Sequence, residues 1–227
     1  MRRAYAGTPK SMTDLRSIDT PHGEARLDVR RARSPFVTLL LSHGAGGGIG
    51  ARDLQALATR LPRQGVSVVL LEQPWRVAGR KVATPPPTLD VALVAAARAL
   101  RIRTPLVVGG RSAGARSAAR SASGLGAAGC LALSFPLHPP GRPEKSRLEE
   151  LRGAGVPTLV VQGEPDPMGR PEEFPDDLEH VDFAVVPGGD HGLRIPKSAG
   201  LSEGEAMEIV VESALEWLVR ELAAPRE

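Results

Sequence analysis

Residues 105–120 read PLVVGGRSAGARSAAR, and this stretch decides the fold that we expect. A short apolar run, Pro105 to Gly109, predicts a buried strand, and the alanine-rich run from Ala113 to Ala119 predicts a helix. Between them lies Gly110-Arg111-Ser112-Ala113-Gly114, a G-x-S-x-G pentapeptide. Such a sharp strand-to-helix turn exposes the serine hydroxyl, and its glycines stand where a Cβ does not fit. Ser112 is therefore a candidate nucleophile, and the alternative is a glycine-rich turn with an incidental serine.

Composition limits the class of protein. A chain of 227 residues is long enough for one large domain with a substantial core. The formal net charge is +3, and the basic residues, 25 arginines against 4 lysines, are scattered along the chain. Aromatic residues make up 3%, so the stacking surfaces of a single-strand binder are missing. We therefore expect no nucleic-acid partner.

Cysteine usage and hydropathy predict the compartment. Cys130 is the single cysteine and lies in an apolar run, which excludes a disulfide framework and favours a reducing compartment. The N-terminal stretch MRRAYAGTPKSMTD lacks the apolar segment of a signal peptide. No apolar run approaches the ~20 residues of a membrane span. We expect a cytoplasmic protein without membrane contact.

Strand-like and helix-like segments alternate along most of the chain. Residues 1–22 are expected to form a loose lead-in, and residues 23–227 a single domain. Predicted strands cover residues 24–31, 36–41, 66–71, 106–108, 130–135, 158–161 and 181–186. Predicted helices cover residues 53–61, 89–100, 145–151 and 202–222, and the last begins with a capping box of Ser202 and Glu205. This alternation predicts a three-layer α/β fold with a mainly parallel central sheet.

A serine nucleophile needs a base and an acid on neighbouring loops, at the carboxyl ends of the strands. Asp166 and His191 each follow a predicted strand downstream of Ser112. In this arrangement His191 accepts the serine proton, and Asp166 fixes the imidazole tautomer. Glu164 is an alternative acid, whereas Asp190 adjoins His191 and is more typical of a turn residue. We expect Ser112, Asp166 and His191 to act together.

The loop after the strand 36–41 reads His43-Gly44-Ala45-Gly46-Gly47. A loop at this place supplies one amide of an oxyanion hole, and the residue after the nucleophile supplies the other. The backbone N–H groups of Ala45 and Ala113 are the candidates. We expect His43 to brace the loop through a side-chain hydrogen bond.

The same glycine-rich loop allows a second interpretation. Residues 46–51 fit G-x-G-x-x-A between a strand and a helix, and Glu72 ends the next predicted strand. These are parts of a dinucleotide-binding fingerprint. Against it, the predicted strand stops at Leu41, which leaves a longer loop than a tight pyrophosphate turn has. A dinucleotide-binding protein is therefore a remote alternative.

Several segments resemble an α/β-hydrolase-like family: LSHGAGG, GGRSAGARSA and LSFPLHPPGRPEK (residues 41–47, 109–118 and 133–145), with VQGEPDP and DH. Its vertebrate members are a testis-expressed protein and a subunit of a histone-acetylating complex, and it has many bacterial members. The chain is more distantly similar to dienelactone hydrolases, although those enzymes use a cysteine where this chain has Ser112. The resemblance implies the α/β-hydrolase fold, whose nucleophile, acid and base follow in the order of Ser112, Asp166 and His191.

These observations predict a serine hydrolase that cleaves an ester or related acyl bond of a small soluble molecule through an acyl-enzyme. The expectation includes no cofactor and no metal, and it leaves the oligomeric state open. A catalytically silent interaction module on the same fold is the alternative, as the eukaryotic relatives suggest.

The segment between two predicted strands, Pro136 to Val156, is too short to build a separate lid domain. We therefore expect an open pocket whose rim includes Trp75, Arg76 and His138. Such a rim is cationic and favours a substrate that bears a carboxylate or phosphate, although solvated loop charges are the simpler alternative. The other basic residues expected there are Arg80, Lys81 and Arg142.

Overall fold

The structure is a computed structural model and describes residues 13–81 and 83–223. The strands are β1 (Thr13–Thr20), β2 (Gly23–Arg30), β3 (Val37–Ser42), β4 (Val66–Glu72), β5 (Leu106–Arg111), β6 (Gly129–Leu133), β7 (Thr158–Gly163) and β8 (Val181–Val186). The α-helices are α1 (Arg52–Arg60), α2 (Pro74–Val77), α3 (Pro86–Ala99), α4 (Ala113–Ser121), α5 (Leu148–Arg152) and α6 (Glu203–Leu222). Short 3₁₀ turns complete the connections.

All eight strands form one sheet in the order β1-β2-β4-β3-β5-β6-β7-β8. The pairs β1–β2 and β2–β4 are antiparallel. The other six strands, β3 to β8, run parallel to one another. The central strands β3 and β7 are buried at every position, as in a parallel sheet that is covered on both faces. The expected mainly parallel α/β sheet is confirmed.

Helices cover both faces of the sheet and complete the three layers. Successive strand residues point to opposite faces, so Leu39 contributes to one core cluster and Leu40 to the other. The first cluster includes Leu57 of α1 and Trp217 of α6. The second includes Leu93 of α3, together with alanines of α4. Among the described residues, no helix combines the length and the apolar character that crossing a bilayer requires.

Strand β1 corrects the expectation of a loose lead-in over residues 1–22. It pairs with β2 along eight residues, and a turn at Pro21 and His22 leads into Gly23, whose φ is 108°. Its sequence TDLRSIDT has two apolar residues, and Leu15 is 69% exposed. Because β1 is a solvent-exposed edge strand, its sequence lacks the alternation of apolar and polar residues by which the other strands were predicted. Residues 1–12 lie outside the described part of the chain.

The parallel strands bring their carboxyl ends to one edge of the sheet, where the loops after β3, β4, β5, β7 and β8 meet. Between β6 and β7 the chain forms one 3₁₀ turn and the five-residue helix α5. No separate lid domain is inserted there, as the length of this segment predicts. The chain between β6 and β7 therefore adds no separate domain to the edge that carries the candidate residues.

Candidate active site

Ser112 lies between β5 and α4 in a strained backbone conformation. Its φ is 54° and its ψ is −113°, in a region that residues with a side chain rarely adopt. The Ser112 N–H donates to the carbonyl of Leu133 on the neighbouring strand, and its own carbonyl accepts the Arg116 N–H. The turn is thus held from both sides, which projects the serine side chain from the sheet edge.

The glycines of the turn are required by close packing, as the sequence predicts. A Cβ on Gly110 would lie 2.4 Å from the carbonyl oxygen of Ser42, and a Cβ on Gly114 only 2.3 Å from the same oxygen. Both distances are shorter than any tolerated contact with backbone atoms. Glycine at these positions lets the start of α4 pack directly against the end of β3.

A continuous chain of hydrogen bonds joins the three predicted residues. The Ser112 Oγ lies 2.9 Å from Nε2 of His191, and Nδ1 of His191 lies 2.8 Å from Oδ2 of Asp166. Asp166 is fully buried, and the His191 side chain is 20% exposed. A carboxylate only accepts, so it places the proton of neutral His191 on Nδ1 and leaves Nε2 to accept from the serine. The structure thus brings together residues that are 79 positions apart.

Asp166 is held by two further donors. The Met168 N–H donates to Oδ1 at 2.8 Å, and the Gln162 amide Nε2 donates to Oδ2 at 2.9 Å. Gln162 is fully buried, and the same Nε2 also faces the carbonyl oxygens of Gly169 and Phe135. Three oxygens around one position force the amide NH₂, and not its oxygen, to face Asp166. Gln162 was not among the residues expected at the site, although a polar residue in the apolar strand TLVVQG indicates a buried hydrogen-bonding role.

The loop after β3 lies directly against the nucleophile. A Cβ on Gly44 would be 3.2 Å from the Cβ of Ser112. Nδ1 of His43 lies 2.9 Å from the Gly44 carbonyl oxygen, and Nε2 accepts the Gln73 N–H at 3.1 Å. These contacts assign the Nδ1–H tautomer, and burial lowers the pKa of His43, so the ring is neutral. The expected bracing of the loop by His43 is confirmed.

This bracing orients the candidate oxyanion-hole amide. The Gly44 carbonyl and the Ala45 N–H belong to one planar trans peptide, so they point in opposite directions. Because the carbonyl faces the His43 ring, the Ala45 N–H points away from it. Ala113 is the first residue of α4, where an N–H has no partner within the helix. Within the described chain, neither amide donates a hydrogen bond to a carbonyl.

Two of the three expected rim residues are not on a rim. Trp75 is 3% exposed, and its ring packs edge-on against His43 at a centroid distance of 5.5 Å. His138 is 5% exposed, and its two ring nitrogens contact the Pro139 carbonyl and Glu173 at 2.9 and 2.8 Å. These hydrogen bonds, led by the one to Pro139, raise the pKa of His138. Both side chains turn inward and brace their loops, which a position after a strand does not reveal.

Arg76 is exposed and remains a candidate for the rim. It lies in the short helix α2 that follows β4. Its Nε is 3.4 Å from the position that a Cβ of Gly48 would take, so it lies beside the glycine-rich loop. Glu72, at the end of β4, lies near the same position at 3.7 Å. The guanidinium thus adjoins the loop that carries Ala45.

Arg111 connects the site to a buried carboxylate that the sequence analysis did not single out. Its Nη2 donates to the His191 carbonyl at 2.8 Å, and its Nε lies 3.0 Å from Oδ2 of Asp53. Asp53, in the first turn of α1, is 2% exposed. Burial raises the pKa of Asp53, and the Arg111 charge opposes that rise. Arg111 therefore neutralises a buried charge and restrains the loop of His191.

Replacing Arg111 with methionine is expected to destabilise the fold, because Asp53 loses its counter-charge. Removing one partner of a buried pair costs about 3–5 kcal/mol, and the partial exposure of Arg111 places this case near the lower figure. The Asp53 pKa then rises further, so the folded state binds the proton more tightly than the unfolded chain. Stability must fall as pH rises through that window. Urea unfolding in acidic and in neutral buffer measures this slope.

The double variant Arg111→Met with Asp53→Asn is the control. Without the carboxylate, the added pH dependence should disappear and most of the lost stability should return. Equal slopes for the single and the double variant would show that Asp53 is not the destabilising charge.

A family model for an alpha/beta hydrolase domain matches residues 35–219. Among solved structures, this chain is similar to an α/β serine hydrolase without a lid from Xanthomonas campestris, with a TM-score of 0.70 and 20% identity over 97% of this chain and 100% of that one. It is similar to dienelactone hydrolase from Anabaena variabilis, with a TM-score of 0.73 and 17% identity over 93% and 98% of the two chains. No curated protein matches the sequence.

A further similar structure is the esterase domain of a Rhodothermus marinus protein, with a TM-score of 0.65. Its identity is 14%, and the match covers 93% of this chain and 99% of that domain. At these identities the likeness concerns the fold.

Proposed function

The chain belongs to the alpha/beta hydrolase domain family, and on this premise we propose that it is a serine hydrolase. It cleaves an ester or a related acyl bond of a small soluble molecule through an acyl-enzyme. The observation that carries this proposal is the hydrogen-bonded series from Ser112 through His191 to buried Asp166. A protein that serves only as an interaction module does not need a nucleophile, a base and an acid joined by hydrogen bonds. The series therefore favours an enzyme over a catalytically silent interaction module.

The first half of the reaction forms the acyl-enzyme. The Ser112 Oγ attacks the substrate carbonyl carbon while its proton moves to Nε2 of His191, and the carbonyl oxygen becomes an oxyanion. The N–H groups of Ala45 and Ala113 donate to that oxyanion. When the carbon–oxygen bond to the leaving group breaks, His191 returns the proton to the departing oxygen. The alcohol leaves, and the acyl group stays on Ser112.

The second half regenerates the enzyme. His191 accepts a proton from water, the resulting hydroxide attacks the acyl carbon, and the bond to the Ser112 Oγ breaks. The proton passes from His191 to the serine oxygen, and the carboxylic acid is released. Asp166 stays ionised and stabilises the imidazolium in both halves.

The glycine-rich loop argues against the dinucleotide alternative. Strand β3 ends at Ser42 and α1 begins at Arg52, so residues 43–51 separate strand and helix. A pyrophosphate turn connects the two elements much more tightly. We also propose the cytoplasm as the compartment, because Cys130 is a free, buried thiol with no disulfide partner in the described chain.

Labelling with a fluorophosphonate tests the proposed function. The activated serine should attack phosphorus and displace fluoride, and the peptide that contains Ser112 should carry the single adduct. The Ser112→Ala variant should remain unmodified. If the wild-type protein takes up no adduct and hydrolyses no activated ester, it is a silent module; an adduct at a different serine would refute the assignment of Ser112.

We further propose that Arg76 favours substrates with a carboxylate or phosphate on the acyl side. Arg76→Ala should raise the KM of a monoester with a free carboxylate about two- to fivefold, because an exposed ion pair contributes only modestly. The kcat on a neutral methyl-capped analogue should stay unchanged. Arg63→Ala is the matched control, since Arg63 is exposed before β4 while Arg76 follows it. Equal KM values of Arg76→Ala and Arg63→Ala for the carboxylate-bearing monoester would exclude a role of Arg76 in substrate recognition.

A further inference from the structure

A pocket lies at the opposite edge of the sheet from Ser112. Its volume is about 320 Å³, near the lower limit for small-molecule sites. Thr38 and Ser67, near the starts of β3 and β4, and Thr104, just before β5, form its polar floor. The length of β5, at ~3.3 Å per residue, separates this floor from Ser112 by roughly 20 Å. We call it the basal pocket.

The polar groups of the basal pocket have hydrogens to donate. The Ser67 Oγ accepts the Ala32 N–H at 3.2 Å, and within the described chain its own hydrogen has no acceptor. The hydroxyls of Thr38 and Thr104 lie 2.8 Å apart, so the pair uses one of its two hydrogens and keeps the other. Ser67 and Thr38 are 8% and 6% exposed. The floor therefore offers two hydroxyl donors.

Three exposed arginines, Arg31, Arg101 and Arg103, line the same pocket, and its lining contains no carboxylate. Arg31 lies 3.8 Å from Asp14, which is held at shorter range by Arg16. In the described part of the chain, Arg101 and Arg103 form no ion pair and no side-chain hydrogen bond, not even to the terminal carbonyls of α3. Their charge is therefore not used by the fold. The remaining walls are apolar: Val29, Val69, Leu100 and Ile102.

The backbone of Arg101 supplies an independent observation. Arg101 directly follows Leu100, the C-cap of α3, and its φ of 39° is left-handed. Glycine is the preferred residue at this position, because a Cβ is strained there. The chain keeps an arginine where glycine would stabilise the helix end. Replacing Arg101 with glycine would therefore remove the guanidinium and relieve the backbone at the same position.

From these observations we propose that the basal pocket binds a small organic anion, with its carboxylate or phosphate on the arginines and hydroxyls and its apolar part against the aliphatic walls. The pocket is separate from the catalytic site, and the proposal does not depend on the hydrolase activity. Charge-assisted hydrogen bonds from guanidinium and hydroxyl donors select an anion, and the short apolar wall selects a chain of a few carbons.

Calorimetric titration with hexyl phosphate tests the proposal on the full chain, with hexanol and hexyltrimethylammonium as matched neutral and cationic probes. Wild type and Ser112→Ala should bind hexyl phosphate equally, and neither should bind the other two probes. Arg101→Gly should weaken binding about two- to fivefold, and Arg103→Gln similarly, because both side chains are exposed. Affinity should fall with added salt.

Arg101→Gly is informative because it removes the guanidinium while relieving backbone strain. Its melting temperature should equal or exceed that of wild type, so a loss of binding cannot be ascribed to unfolding. Arg98→Gln, in the last turn of α3 and outside the pocket lining, is the matched control and should bind as wild type does. No binding by the wild-type chain, equal affinities of Arg101→Gly and Arg98→Gln, or loss of binding in Ser112→Ala would overturn the proposal.

Discussion

Replacing Ser112 with alanine is expected to lower kcat/KM on a small activated ester by roughly 10⁴- to 10⁶-fold, because the reaction loses its nucleophile. The residual rate then comes from binding and from the oxyanion-hole amides alone. The fold should persist, because in the described chain the Ser112 Oγ makes a hydrogen bond only to Nε2 of His191. The backbone hydrogen bonds that hold the turn do not involve this side chain and remain. Steady-state kinetics, with a thermal melt of the same sample, measure both quantities.

Ser134 provides a matched control for this substitution. Ser134 directly follows the neighbouring strand β6, as Ser112 follows β5, and both residues have a left-handed φ, of 46° and 54°. The Ser134 side chain is fully buried. Its Oγ has no hydrogen-bond partner in the described chain. Ser134→Ala should therefore retain wild-type kcat and KM. Activity of Ser112→Ala within tenfold of this control would exclude Ser112 as the nucleophile.

The central sheet was predictable because its strands are buried on both faces. Such strands read as continuous apolar runs, so β3, expected at 36–41, lies at Val37–Ser42. The edge strand β8 is only partly buried, and its mostly apolar sequence VDFAVV still gave the expected bounds. Helix α6 begins with the predicted capping box, in which Ser202 and Glu205 exchange hydrogen bonds. Local patterns of this kind need no information from distant residues.

Side-chain direction was not predictable in the same way. The positions of Trp75 and His138 after parallel strands indicate the correct edge of the sheet, but not whether a side chain faces solvent or the interior. The ring of Trp75 packs on His43, which lies on a loop 32 positions earlier. Such packing depends on which loops become neighbours. This is a property of the assembled sheet.

The supporting polar contacts are also long-range. Arg111 and Asp53 meet only because the end of β5 and the start of α1 share an edge of the sheet. Neither residue carries a spacing that predicts the other. Gln162 is different, since a polar residue in a buried strand needs partners, and that requirement points toward the loop that follows. Its target could be Asp166 or Glu164, and only the structure distinguishes them.

Asparagine at position 166 is expected to lower kcat about 10⁴-fold, because the substituted amide brings a donor where only acceptors fit. Oδ2 of Asp166 faces donors from His191 and Gln162, and Oδ1 faces the Met168 N–H. With its NH₂ toward His191, the asparagine forces the proton of the imidazole onto Nε2, which can then no longer accept from Ser112. With its NH₂ toward Met168, two donors oppose each other. Both orientations damage the site.

Glu164→Gln is the control for Asp166→Asn, because it makes the same carboxylate-to-amide change two residues away. Oε2 of Glu164 accepts the Gly188 N–H at 2.9 Å and braces the loop before His191. An amide oxygen can keep that bond, so kcat should stay within about threefold of wild type, in line with the modest net worth of a neutral hydrogen bond. Pre-steady-state kinetics should place the defect of Asp166→Asn in acylation. If Glu164→Gln loses activity while Asp166→Asn retains it, the acid of the site is Glu164, and the hydrogen bond from Asp166 to His191 is only structural.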